Sequence, residues 1–126
     1  IIGIGSDILD IRRLEKTIQR HGDRFLERIF TATERAKAER RTERIRTATY
    51  AKRFAAKEAF SKALGTGVRP PALLPAIAID HDELGKPRLV FCGQLAETIK
   101  NQGLTAHLSL SDEAEYAIAY VILERP

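Results

Sequence analysis

Residues 42–64, TERIRTATYAKRFAAKEAFSKAL, run without a glycine or proline. Alanine, arginine, lysine and glutamate make up most of the stretch, and all four are strong helix formers. Gly65-Thr66-Gly67 follows, and glycine accepts the left-handed conformation that closes a helix. The pattern predicts one long helix over 42–64, around which the rest of the chain is arranged.

Working back from that helix, Thr31-Ala32-Thr33-Glu34 reads as a capping box, with Thr31 as N-cap and Glu34 reaching back. Phe25, Leu26, Ile29 and Phe30 form an apolar group before it, and Ile11, Leu14 and Ile18 have the spacing of a short amphipathic helix. Residues 1–11 are apolar and β-branched apart from Gly3, Gly5, Ser6, Asp7 and Asp10, which predicts a short strand ending near Asp7.

Downstream, Pro70, Pro71 and Pro75 mark a loop. Residues 77–80 and 88–91 read as strands around the turn 81–87, and Leu95, Ala96 and Ile99 as a short helix closed by Gly103. Residues 106–111 and 116–123 are strands joined by the acidic turn 112–115. Strand, helices, hairpin, helix, hairpin is the order of an α+β domain: a mainly antiparallel sheet packed on one long helix. At 126 residues the whole chain, 1–126, has the size of one such domain.

No apolar run approaches the roughly 20 residues of a membrane span. The N-terminal stretch lacks the basic flank of a signal peptide and carries Asp7 and Asp10, so a cytoplasmic protein is expected. Cys92 is the only cysteine and ends the run Leu89-Val90-Phe91; it is expected to be a small buried hydrophobe. The net charge of +4 is uneven. Residues 1–62 hold 16 Lys and Arg against 9 Asp and Glu, and the remainder 5 against 8, so the first half suits an anionic partner.

The helix also carries the candidate chemistry. At 100° per residue, Ala51, Phe54, Ala55, Ser61 and Lys62 lie within about 60° of Glu58, which sets a carboxylate in a small, mostly apolar face. Such a carboxylate needs a partner. It is either Lys62, one turn on, or a metal ion shared with a second carboxylate. Asp7 offers the second one, at a strand end where Gly3 and Gly5 permit close approach. Asp7 reads equally as a turn-forming residue; two carboxylates leaving most positions to water and phosphate are the usual magnesium arrangement.

Gly5-Ser6-Asp7 and Arg53-Phe54-Ala55-Ala56-Lys57-Glu58-Ala59-Phe60-Ser61-Lys62-Ala63 resemble the signature of the 4'-phosphopantetheinyl transferases. The compact length is similar to the holo-acyl-carrier-protein synthase branch, and Gly65-Thr66-Gly67, Gly85-Lys86-Pro87 and His107-Leu108-Ser109 fall in the family's order. The resemblance implies transfer of phosphopantetheine from coenzyme A to a serine of an acidic acyl carrier protein, with Mg2+ held by Asp7 and Glu58. It further implies Lys62 on the phosphates, and Arg53, His107 and the turn Gly85-Lys86-Pro87 at the nucleotide end. A metal-bound water, or Glu58 acting through one, is the candidate base. Arg13, Arg20 and Arg24 would dock the carrier protein, and the chain would assemble as a trimer with active sites between subunits. Asp10, where the family pattern has Glu, stays outside the ligand set.

Two other classes compete. A small basic nucleic-acid-binding protein draws on the basic stretch 35–46, although Glu34, Glu39 and Glu43 dilute it and no helix-turn-helix or zinc pattern accompanies it. A non-catalytic scaffold of the same fold is opposed by the presence of Asp7, Glu58 and Lys62 together.

Overall fold

The computed structural model describes residues 1–126. The elements run β1 (Gly3–Asp10), α1 (Ile11–Ile29), α2 (Ala32–Glu39), α3 (Glu43–Leu64), a 3-10 turn (Leu74–Ala76), β2 (Ile77–His81), β3 (Pro87–Phe91), α4 (Gly93–Asn101), β4 (Thr105–Glu113) and β5 (Tyr116–Glu124). The architecture is α+β. The strands are antiparallel throughout and divide into a three-stranded sheet of order β1-β5-β4 and the separate hairpin β2-β3.

The helix ends follow the residues that signalled them. Thr31 Oγ1 accepts from the Glu34 amide at 3.1 Å, and the Glu34 carboxylate accepts from the Thr31 amide at 3.1 Å, completing the capping box of α2. Gly65 takes φ 88° and its amide closes α3 on the carbonyls of Ser61 and Lys62. β1 runs three residues further than expected, to Asp10, whose carboxylate then caps α1 by accepting from the Arg12 amide at 2.9 Å. Asp10 is thereby committed to the helix start. α1 is kinked at Gly22 (φ 59°).

α3 lies directly on the sheet because its contact face is built of small residues. Ala55, Ala56, Ala59 and Ala63 are buried with Phe60 against Ala119, Val121 and Leu123 of β5 and against Leu95 and Ile99 of α4. Phe60, fully buried and 4.7 Å from the ring of Phe91, anchors this layer; cutting such a side chain to alanine costs about 3–5 kcal/mol. A second core gathers Ile11, Leu14, Leu26, Ile29 and Phe30 around Tyr50 and Ala51 of α3.

Cys92 is exposed, contrary to the sequence expectation. Strand alternation explains it: along β3, Arg88 and Val90 point outward and Leu89 and Phe91 are half-buried, so Cys92 falls on the outward side.

Candidate active site

Three of the expected site residues meet where β1 passes beneath the C-terminal half of α3. Gly3 and Gly5 allow this. A Cβ on Gly5 would stand 2.0 Å from the Ala59 carbonyl oxygen, and one on Gly3 2.0 Å from that of Ala63. Alternation then turns Asp7 to the same side of β1. Lys62 Nζ lies 3.1 Å from Asp7 Oδ1 and donates to the Ser6 carbonyl at 2.9 Å. The alternative pairing of Glu58 with Lys62 is not what forms: the lysine turns to the strand instead.

Glu58 is left half-buried. Burial, and then the charge of Asp7, push its carboxyl above the usual carboxylate range, with Lys62 acting against them. The corner thus holds two carboxylates and one lysine. The donors are hard oxygens on two separate elements, β1 and α3. That is the donor chemistry a magnesium ion takes.

Arg53 lies elsewhere. It is 6 % exposed and stands about 140° around α3 from Glu58, beside an open cavity of about 710 Å3. Lys37, Arg40 and Arg41 from the α2 end, Lys52 and Arg53 from α3, and His81 from β2 line it, and no carboxylate does. Burial pulls the Arg53 guanidinium down from its ordinary value, against the charge of Glu34. Burial and the neighbouring cations, Arg53 first among them, likewise lower His81 from its ordinary value.

Asp7, Ala119 and Leu110 form one row across the sheet. Asp7 meets Lys62 at the β1 edge, and Leu110 reaches the cationic cavity at the β4 edge. The carboxylate corner and the cavity therefore occupy opposite flanks of α3 in one chain.

The other expected residues are dispersed. Gly85 takes φ 87° in the turn between β2 and β3. Asp82 Oδ1 holds that turn by accepting from the Leu84 and Lys86 amides at 2.9 Å each, leaving Lys86 exposed and Pro87 opening β3. His107 sits on the outer face of β4, away from α3, with Nε2 2.7 Å from Glu124 Oε1. Arg13 and Arg20 are exposed on α1, and seven residues of separation put them on one face. Arg24 is exposed beyond the Gly22 kink. Arg12, next to Arg13, is engaged by Asp10 and Glu115.

Sequence reasoning missed the convergence of Lys37, Arg40, Arg41, Lys52 and His81. The basic stretch 35–46 is its signal, but in sequence that stretch supports only the nucleic-acid-binding alternative. It also missed the buried pair between Lys57 and Glu34, 2.8 Å apart and 23 residues distant in sequence.

The model of the 4'-phosphopantetheinyl transferase superfamily matches residues 3–121. The chain is 62 % identical over 124 residues to the holo-[acyl-carrier-protein] synthase of Dechloromonas aromatica, covering 98 % of each chain. It is 50 % identical to that of Aromatoleum aromaticum, covering 99 % of this chain and 98 % of the relative. The crystal structure of the Neisseria meningitidis holo-[acyl-carrier-protein] synthase superposes with a TM-score of 0.92 at 38 % identity, over 99 % of both chains. The Bacillus anthracis enzyme, solved in complex with CoA (3',5'-ADP), superposes at 0.85 with 39 % identity, over 100 % of this chain and 98 % of that one. On sequence, fold and the residues at this corner, the chain belongs to the 4'-phosphopantetheinyl transferase superfamily, in the branch of the holo-[acyl-carrier-protein] synthases.

Proposed function

We propose that the enzyme transfers 4'-phosphopantetheine from coenzyme A to a serine hydroxyl of an apo-acyl carrier protein, releasing adenosine 3',5'-bisphosphate. The observation that carries this reading is the meeting of Asp7, Glu58 and Lys62 at one corner, in a chain whose relatives bear that activity in their names. Asp7 and Glu58 would hold a magnesium ion, which supplies charge neutralisation for phosphoryl transfer. Lys62, long and half-exposed, swings from Asp7 to the phosphate oxygens and stabilises the leaving group. The serine oxygen bonds to the phosphorus that bears the pantetheine, the bond from that phosphorus to the adenosine bisphosphate oxygen breaks, and Glu58 takes the hydroxyl proton through a water.

The nucleotide end of coenzyme A belongs to the cationic cavity. Arg53 is its buried anchor, with the Gly85-Lys86-Pro87 turn on the hairpin that also supplies His81. Solved relatives from Bacillus anthracis and Helicobacter pylori carry coenzyme A or its nucleotide portion. Lys37, Arg40 and Arg41 of the stretch 35–46 line a concave pocket suited to one phosphate ester.

Two features favour a homotrimer with sites between subunits. The corner and the cavity flank α3 on opposite sides, and His107 lies on a third surface, so neighbouring copies unite what one chain separates. The outer sheet face also exposes Ile4 (67 %), Ile8 (63 %) and Tyr120 (54 %), an apolar patch of the kind that marks interfaces. Arg13 and Arg20, with Arg24 nearby, offer an exposed basic surface to the acidic carrier protein. Their effect would fall mainly on the association rate and weaken with salt. No helix is long and apolar enough to cross a membrane, in keeping with work in the cytoplasm on a diffusible carrier, all 126 residues acting as one domain.

Intact-mass analysis of an apo-acyl carrier protein incubated with the enzyme, coenzyme A and magnesium tests this. A phosphopantetheine-sized gain is expected, and it should disappear with a chelator or with Glu58→Ala. No gain on any of several apo carriers would leave a scaffold of the same fold as the better reading.

A further inference from the structure

Lys57 touches neither the carboxylate corner nor the cationic cavity, yet it is fully buried. All three of its ammonium donors are used: Glu34 Oε1 at 2.8 Å, the Leu74 carbonyl at 2.9 Å and the Ile77 carbonyl at 2.6 Å. Glu34, 2 % exposed, is equally occupied. It accepts from the Thr31 amide at 3.1 Å, from Lys57, and from the Ile79 amide at 3.0 Å.

Arg53 is the third charge of this group and the one left over. Its Nε stands 3.9 Å from Glu34 Oε2, beyond hydrogen-bond distance, and has no acceptor although it is buried. One carboxylate and two cations leave a surplus positive charge. Because Glu34 and Lys57 saturate each other, that surplus resides on Arg53, at the wall of the cavity. A buried guanidinium with an idle donor is costly unless something anionic completes it.

We propose that Lys57 is a positioning residue for nucleotide binding: by holding Glu34 in a direct ion pair, it keeps that carboxylate from capturing Arg53. The guanidinium is thereby left to the anionic group in the cavity. This rests on the reading that Arg53 meets the nucleotide end of coenzyme A. Without the Lys57 ammonium, Glu34 remains buried and needs a cation. Arg53 is already beside it, and a shift of about 1 Å completes a charge-assisted bond. Arg53 would then serve Glu34 and not the ligand.

Titration calorimetry with coenzyme A on the full chain tests this with four variants, each melted thermally to establish that it is folded. Arg53→Ala should weaken binding by about tenfold or more, as loss of a charged hydrogen bond does. Lys57→Met should weaken it by a similar factor. Adding Glu34→Gln to Lys57→Met removes the competing carboxylate and should return affinity to within about threefold of wild type. Adding Arg53→Ala to Lys57→Met should cost little more, because Arg53 has already been withdrawn. A Lys57 role in packing alone would make those two losses multiply.

Wild-type affinity in folded Lys57→Met, beside a weakened Arg53→Ala, overturns the positioning role and leaves the reading of Arg53 intact. An Arg53→Ala variant that binds normally overturns both, starting with Arg53. Should Lys57→Met not fold, the neutral pair Lys57→Met/Glu34→Gln decides: folded and binding as wild type supports the proposal, folded and weak overturns it.

Discussion

Of the three lysines of α3, Lys57 and Lys62 each face an acidic side chain from another element, and these two pairs are built on opposite principles. Lys57 and Glu34 are saturated: each ammonium donor has an acceptor, and the carboxylate accepts from the ammonium and from two backbone amides. Around Lys62 the half-exposed ammonium pairs with Asp7 alone, and Glu58 beside them is held above its usual range by burial and by the charge of Asp7. The first pair joins α2, α3 and β2 into a fixed frame. The second keeps unspent charge at a corner open to solvent. Saturation marks the residues that hold the fold, and shortage marks those with something left to bind.

The largest expected effect sharpens this contrast in denaturant unfolding. Lys57→Ala leaves Glu34 buried without its ammonium and should cost about 3–5 kcal/mol. Lys62→Ala should cost no more than about 1 kcal/mol while abolishing transfer. Equal losses would mean that the Asp7 pair is structural too.

Gly5→Ala comes next. Its Cβ would meet the Ala59 carbonyl at 2.0 Å, forcing β1 away from α3 at a cost of about 1–3 kcal/mol. Asp7 moves with the strand, and transfer should fall by about 100-fold, since small misplacements cost that much. Unchanged transfer would show that the corner tolerates a looser spacing.

The smallest effect has the opposite sign. A carboxyl whose folded pKa is raised gives its full stabilisation only below the ordinary carboxylate range, and loses it as pH rises through the folded value. Once pH has risen through that value the stabilisation is gone, and Glu58→Gln should raise Tm at pH 7 by about 2–4 °C while ending transfer. The gain should vanish below the ordinary carboxylate range, where Glu58 is protonated in both states. A fall in Tm at pH 7 would put Glu58 among the residues that hold the fold.

What was legible in the sequence was local. The capping box at Thr31, the long glycine-free run and the stop at Gly65 each depend on neighbours within a few residues, and all appear where expected. Asp7 and Glu58 stood out because each placed a charge inside an otherwise apolar pattern. The cavity did not stand out, because its cations come from three elements and its arginines look in sequence like any solvated helix face. Glu34 had already been assigned a task as a capping residue, which concealed its bond to Lys57. Cys92 was misread by counting hydrophobic neighbours where the period-two alternation of β3 was the governing rule. The same rule places His107 outward, between the inward Ala106 and Leu108.

The placement of the carboxylate corner and the cationic cavity on opposite flanks of α3 has a genetic consequence. On the proposed interfacial arrangement, an Asp7→Ala chain and an Arg53→Ala chain, each defective alone, rescue one another when co-expressed. A site regains function when its Asp7 comes from one type and its Arg53 from the other. Random assembly of equal amounts in a closed ring makes about a quarter of the sites whole. Two inactive chains would together restore transfer, whereas one chain carrying both substitutions would spoil two of the three sites in a ring shared with two wild-type chains.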